Sequence, residues 1–415
     1  MVAYFLLLTE RTIWVPTKPT GQNYNQNDQA NKQTCKVNDS FSERPVGRST
    51  AFGGKPDMDF GQARSPYGLR VGVLGYGYWG SKHARVLSGL AGVREVVLIE
   101  ANAKIRNTLS GTLKGGRTFA NLEQALPHVD AVVVATPPNS HAELAIQAIQ
   151  HGKHVLVEKP LATSVAEATA LLAQAMRSSA VLMVGHTFLY NPAVRELRRR
   201  LAGGEFGDIR YIHSARLNLG LYRPDVDVIW DLAPHDISML NFLLQARPTS
   251  VSAWGESLAF GWVNDLAQVR LEYTDPHVIG FAHVSWLDPR KTRKVTVVGS
   301  EKMAVYDDLA EERLRIYDCG LGGIDEPPSP DRPITYRYGD IVAPHVHDDE
   351  PLAVQDQHFV HCALTGERPN TDGQMGLTVI AVLEAIETAI REHRRVPVVY
   401  PDVVPNAHPL LEAVT

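Results

Sequence analysis

The first strong fold signal is the short apolar run Leu69 to Leu74, which passes straight into Gly75-Tyr76-Gly77-Tyr78-Trp79-Gly80 and then into helical spacing to about Leu90. That pattern predicts a buried strand, a tight turn and a helix. Four more short apolar runs read as strands: Glu95 to Ile99, Ala131 to Ala135, His154 to Val157 and Ala180 to Gly185. A helix over about His141 to Gln150 separates two of them. Strands alternating with helices predict a doubly wound parallel sheet with right-handed crossovers. Beyond Gly185 the grammar changes. A helix over about Pro192 to Ala202 leads into runs of period-two alternation, among them Asp208 to Leu217, Leu266 to Tyr273, Val278 to Leu287 and Val295 to Val298. One buried and one solvated face per strand predicts a large, open, mostly antiparallel sheet, so the second part is expected to be α+β. Gly320 to Asp331 reads as loop, and helices over about Leu352 to Leu364 and Met375 to Glu392 precede a short strand near Val396. Leu377, Ile380, Ala381, Leu383 and Ile386 recur at helical spacing, which marks a core face.

A chain of 415 residues exceeds what one core serves, and two domains are expected, at 67–186 and 187–400, with the late helices packing back on the first. From Thr17 to about Tyr67 the sequence is polar, rich in Gly, Pro, Asn, Gln and Ser, and shows no sustained period, so a disordered tail is expected over 1–66, with Met58 as an alternative start. Residues 401–415 read as a second tail. The run from Ala3 to Leu8 is too short to span a bilayer and lacks a signal peptide's flanks, so neither membrane attachment nor export is expected. Lys and Arg total 41 against 46 Asp and Glu, which leaves no basic surplus for a nucleic-acid partner. Three scattered cysteines form neither a disulfide framework nor a thiolate zinc site, which suits a reducing cytoplasm. His345-Val346-His347 sets two imidazoles on one side of an extended segment, but metal ligation needs three or four converging groups, so no metal is expected.

The glycine-rich turn gains meaning from its context. A strand precedes it, a helix follows it, and Glu100 ends the next strand twenty residues beyond Gly80, the arrangement of a dinucleotide fingerprint. Gly75 would allow the tight turn, Gly77 the approach of a pyrophosphate, and Gly80 close packing of helix on strand, while the helix N-terminus favours phosphate. Glu100 would accept hydrogen bonds from a ribose diol, so NAD is favoured. Lys104 and Arg106 follow closely and keep NADP open.

Gly75 to Gly80, Thr136-Pro137-Pro138-Asn139-Ser140-His141 and His154-Val155-Leu156-Val157-Glu158-Lys159-Pro160 together resemble the glucose-fructose oxidoreductase, inositol dehydrogenase and MocA-type (Gfo/Idh/MocA) family, over roughly Leu69 to Val398. The resemblance implies an NAD(P)-binding Rossmann domain with Tyr78 and Trp79 in its cofactor turn, Lys159 beside the nicotinamide and Glu158 next to it. It also implies that Thr136, Pro137, Asn139 and His141 border the cofactor. Chemistry agrees for Lys159, because an ammonium stabilises the oxygen that develops charge when a carbinol loses hydride. In Trp230-Asp231-Leu232-Ala233-Pro234-His235, Asp231 and His235 stand four apart and share a helix face. The spacing resembles the family's proton relay, which gives His235 the role of base and Asp231 a supporting role. Asp231 also reads as the cap of that helix, which would not exclude a part in catalysis. Tyr190 and Asn191 stand where relatives enter the substrate cleft, as sugar-hydroxyl donors or as a packed aromatic and a helix cap. Arg216 and Arg223 would meet an anionic substituent or remain solvated. By resemblance the substrate is a nucleotide-linked N-acetylhexosamine or uronate, with an inositol or hexose next. An NAD-dependent glycosidase and a non-catalytic dinucleotide or sugar sensor are the rivals, and a homo-oligomer, dimer or tetramer, is expected.

Overall fold

The computed structural model describes residues 68–112, 117–220, 226–259, 261–322 and 333–402. The expected tail over 1–66, Arg223, all but three residues of the 320–331 loop and nearly all of 401–415 fall outside that set.

The first sheet is parallel throughout and holds β1 (Leu69–Leu74), β2 (Val93–Ile99), β3 (Thr118–Phe119), β4 (Ala131–Val134), β5 (His154–Glu158) and β6 (Leu182–Gly185), in the order β3-β2-β1-β4-β5-β6. Both faces are covered, which is why β4 and the Val155–Val157 centre of β5 read as apolar runs without alternation. The helices between them are α1 (Tyr78–Gly89), α2 (Ala103–Thr112), the single turn α3 (Leu122–Ala125), α4 (His141–Gln150) and α5 (Val165–Met176). Because β1 pairs with β2 on one side and β4 on the other, chain order reverses there. Such a switch point opens a crevice beyond the carboxyl ends of the strands, where ligands of doubly wound sheets bind.

After α6 (Pro192–Ala202) come β7 (Ile209–Leu219), α7 (Val228–Leu244), β8 (Ser250–Glu256), β9 (Leu266–Tyr273), β10 (Val278–Ser285), β11 (Leu287–Gly299), β12 (Met303–Asp307), β13 (Leu314–Gly322) and β14 (Thr335–Val342). Then follow α8 (Pro351–Thr365), α9 (Gly373–Glu392) and β15 (Val396–Pro397). The nine strands run β14-β13-β12-β11-β7-β10-β9-β8-β15, antiparallel except for β7 beside β10. The expected strand Val295 to Val298 is only the buried end of β11. Its first half, Asp288-Pro289-Arg290-Lys291-Thr292-Arg293, shows no apolar alternation because the register against β7 breaks between Leu287 and Thr292. Gly320 to Gly322, expected as loop, complete β13.

α7 lies across β7, β9 and β10, while α9 packs on α5, α7 and β8. By length and composition α9 could cross a membrane. Here its apolar side chains, Leu377 and Leu383 among them, are buried in the core. The late helices do pack back on the first sheet: α8 against α1, α9 against β6. Between them Thr371 covers the edge of β6, taking the Val184 N–H at 2.7 Å on its carbonyl and donating its hydroxyl to the Val184 carbonyl at 2.8 Å. An edge strand is thereby closed to further pairing.

Candidate active site

The glycine turn has the shape of a phosphate cradle. Gly75 has φ +87°, a left-handed conformation, and a Cβ there would stand 2.8 Å from the Ala135 carbonyl. A Cβ on Gly80 would fall 1.8 Å from the Gly75 carbonyl oxygen, so only glycine lets α1 rest on the turn. Around Gly77 nothing lies within 4 Å of that position, and no side chain caps α1. The N–H groups of its first turn therefore face an open space with a partial positive charge, which fits a pyrophosphate. Glu100 stands at the rim, its two carboxylate oxygens accepting the N–H groups of Tyr76 and Asn102, each at 2.8 Å. Arg106, considered for a phosphate, donates instead to the carbonyls of Glu100 and Ala101 at 2.6 and 3.1 Å.

In the loop after β4, Pro137 is exposed and the Thr136 hydroxyl accepts from Ser140 at 2.8 Å. His141 does not reach toward a cofactor. It is buried, with its ring nitrogens 2.7 Å from the Pro160 carbonyl and 2.8 Å from that of Thr136, and so bolts this loop to the end of β5. Asn139 likewise turns away, to a groove between α4 and α5.

Lys159 follows β5 and is joined to Pro160 by a cis peptide. Its ammonium donates to the Asp231 carbonyl at 2.7 Å and lies 3.4 Å from the same residue's carboxylate. The local reason lies in α7. Its first turn carries Asp231 to the end of β5, and Pro234, which follows within the helix, has no N–H to offer the neighbouring Trp230 carbonyl. Asp231 is not the helix cap. Asp227 is, accepting the N–H groups of Ile229 and Trp230 at 3.0 Å each, so the helix begins a turn earlier than its polar pattern suggested. The other Asp231 oxygen accepts from the Trp286 indole at 3.2 Å. The carboxylate thus serves Lys159 and Trp286.

His235 lies on the same face of α7, its ring edge-on to Phe188 at 5.1 Å. Its Nδ1 is buried with no hydrogen-bond partner among the described residues. Burial, reinforced by the charges of Lys159, Arg216 and Arg293, holds its pKa far below the ordinary histidine range, so the ring is neutral near pH 7. Arg216 is not solvated: it is buried, bonded to Asp236 at 2.8 and 3.3 Å, and set over the Phe188 ring at 4.4 Å. Arg293 approaches the same ring and pairs with Asp308 at 3.1 Å.

Tyr78, Trp79, Glu158, Lys159, Asp231 and His235 line one cleft of about 400 Å³ between the two sheets. Asn191 lines it too, yet its oxygen caps α6 at the Ala193 N–H and its amide donates to Tyr306, so it was legible as a cap. Tyr190 does not enter the cleft. It is 1% exposed, and its hydroxyl is 3.1 Å from that of Thr371. Sequence reasoning missed Phe188, Trp286 and a buried histidine, His83, against Glu158; the only local trace was a histidine three residues past the last glycine of the turn.

Comparison with known proteins agrees with this fold. Residues 69–186 match the model of an oxidoreductase family with an NAD-binding Rossmann fold, and residues 194–305 match the GFO/IDH/MocA C-terminal domain. The chain is 30% identical over 330 residues to UDP-N-acetylglucosamine 3-dehydrogenase of Acidithiobacillus ferrooxidans, covering 78% of this chain and 97% of that one. The solved structure of that enzyme superposes with a TM-score of 0.64, over 78% of this chain and 98% of it. Inositol 2-dehydrogenase of Rhizobium meliloti is 24% identical over 344 residues, 80% of this chain and 99% of its own. The WlbA dehydrogenase of Bordetella pertussis, solved with NADH and UDP-GlcNAcA, shares the fold at 21% identity and a TM-score of 0.67, over 80% of this chain and 98% of its own.

Proposed function

The chain belongs to the Gfo/Idh/MocA family of NAD-dependent oxidoreductases, and from that premise we propose that it oxidises a secondary hydroxyl of a nucleotide-linked N-acetylhexosamine or its uronate. It is an NAD-dependent dehydrogenase of sugar-type CH–OH groups. The observation that carries the reading of hydroxyl oxidation is the meeting of Lys159, from the first sheet, with Asp231 and His235, from a helix of the second, in one cleft beside the glycine turn. The relative at 30% identity supports a nucleotide sugar. Lys291 adds a cation to the cleft wall that suits an acidic group, beside Arg216 and Arg293, whose charges are met by Asp236 and Asp308.

Bound NAD supplies the acceptor for hydride. The substrate hydroxyl lies between Lys159 and His235. Lys159, held by Asp231, donates to the oxygen as its carbon becomes a carbonyl and lowers the cost of the charge that develops there. His235, neutral at working pH, takes the hydroxyl proton. The resulting imidazolium is disfavoured by Arg216 and Arg293, and an anionic substrate offsets that cost. Trp286 and Lys159 together keep the Asp231 carboxylate from turning to solvent.

A panel of UDP-N-acetylglucosamine, its uronate, inositols and free hexoses, offered with NAD and with NADP and followed at the NADH absorbance, tests this. Turnover of the nucleotide sugars with NAD is expected. Turnover of inositols alone would sink the substrate class, and glycosidic cleavage without net NADH would replace net oxidation by a glycosidase.

A further inference from the structure

Beneath the floor of the cleft lies a second charged cluster, to which the hydride step gives no part. His83, on the inner side of α1, is fully buried. Its Nε2 is 2.9 Å from Glu158 Oε1, and its Nδ1 is 2.9 Å from both carboxylate oxygens of Asp356 on α8. Glu158 is 6% exposed and Asp356 not at all. A neutral imidazole has one N–H and one lone pair, so it offers a donor to only one of two carboxylates and sets lone pair against lone pair at the other. Two carboxylates withdrawn from water also need a cation between them. An imidazolium meets both demands. Burial alone would lower the pKa of His83, but Asp356 and Glu158 outweigh it and raise the ring to about 10. The same burial raises Asp356, and the proton rests on His83 because only there does it face two carboxylates.

The cluster leads to Lys159. The second oxygen of Glu158 accepts the Lys159 backbone N–H at 3.2 Å. Gly185 lets Glu158 lie flat on β6, since a Cβ there would stand 3.2 Å from the Glu158 Cα and carboxyl carbon. Three elements thus meet at one imidazole: α1 with the phosphate cradle, β5 with Lys159 at its end, and α8. Further bonds, from the Thr187 hydroxyl to Gln355 at 2.8 Å and between Arg85 and Glu350, tie α8 to this rim.

We propose that His83 is a positioning residue: doubly protonated and clamped between Asp356 and Glu158, it fixes the Glu158 carboxylate, and with it the peptide that aims the Lys159 ammonium into the cleft. The proposal rests on the dehydrogenase reading only where Lys159 acts on substrate; the protonation of His83 is independent of it. The titratable groups facing the ring are the charged Asp356 and Glu158, with the Lys159 ammonium and the neutral His186 beyond Glu158.

Nitrogen NMR of the full, unliganded chain is the first test. One histidine ring should keep both nitrogens protonated from about pH 6 to about pH 9, and that signal should vanish in His83→Gln. If every histidine loses its proton within that range, the proposal fails. Kinetics on whichever panel sugar the wild type oxidises is the second test. His83→Gln should lower kcat by roughly 10- to 100-fold through misplacement of Lys159, while NADH affinity, read by fluorescence titration, changes little. A folded His83→Gln enzyme with wild-type kcat overturns the proposal. If that variant does not fold, Asp356→Asn carries the kinetic arm: with one carboxylate gone His83 loses its proton more easily, so kcat should acquire an alkaline limb absent from the wild type. An unchanged pH profile overturns the proposal. Wild-type inactivity on the whole panel would sink the substrate class and leave the NMR test standing.

Discussion

An ammonium that donates to the Asp231 carbonyl at 2.7 Å has lost most of its freedom before any substrate arrives. Lys159→Ala should therefore lower kcat by roughly 10²–10³-fold, the usual cost of removing one donor to a developing oxyanion, with NAD affinity little changed. Wild-type turnover in steady-state assays of that variant would remove Lys159 from the mechanism. His235 carries a pH prediction. A base works while unprotonated, and burial together with neighbouring cations holds its pKa far below 6.5, so kcat/KM should show no acid limb near that value. Activity should persist to lower pH, and an acid limb centred near 6.5 that disappears in His235→Gln would contradict the depressed pKa. Both candidates stand out in the sequence because each sits in a short local pattern. Their partners do not: Lys159 meets a carbonyl 72 residues away, and backbone acceptors leave no mark in a sequence. Tyr190 misled because an aromatic at a cleft entrance and a packed one carry the same letter.

The glycine turn and α1 behave as one element, and two of their glycines separate binding from folding. Gly80→Ala must push α1 off the Gly75 carbonyl, which should cost about 2–3 kcal/mol of stability in urea denaturation. Gly77→Ala meets nothing in the protein and should keep its stability while weakening NADH binding in fluorescence titration. Unchanged NADH affinity in Gly77→Ala would remove Gly77 from the cradle. Elements buried on both faces or cleanly alternating, such as β1, β5 and β9, were legible; β14 is exposed along its whole length and presents no pattern to read. The start of α7 was misplaced by a turn because Asp227 and Asp231 are equally good caps by type, and only the structure assigns which one accepts the first N–H groups.

At the scale of the whole molecule, buried histidines pull stability in opposite directions with pH. Burial drives His186 down to about 4, so between pH 6.5 and 4 the unfolded chain binds a proton that the folded one refuses. This residue alone should cost on the order of 3 kcal/mol by pH 4. His83, raised to about 10, contributes stability that is complete below 6.5 and fades as pH rises toward 10. Urea unfolding across pH should therefore weaken toward both extremes. In His186→Leu the loss between pH 6.5 and 4 should shrink by that amount, and an unaltered acid slope would show that this ring does not titrate on unfolding. The covered edge of β6 and the Asp356–His83 bond, which spans 273 residues, bear on how the chain is made. A ribosome delivers α1 and β5 long before it delivers α8. Until that helix emerges, a nascent chain has one histidine between its two future acids with only the first in place, and an open strand where Thr371 will close it. A part made early is finished by one made much later, and a chaperone that shields this strand during synthesis should raise the yield of active protein.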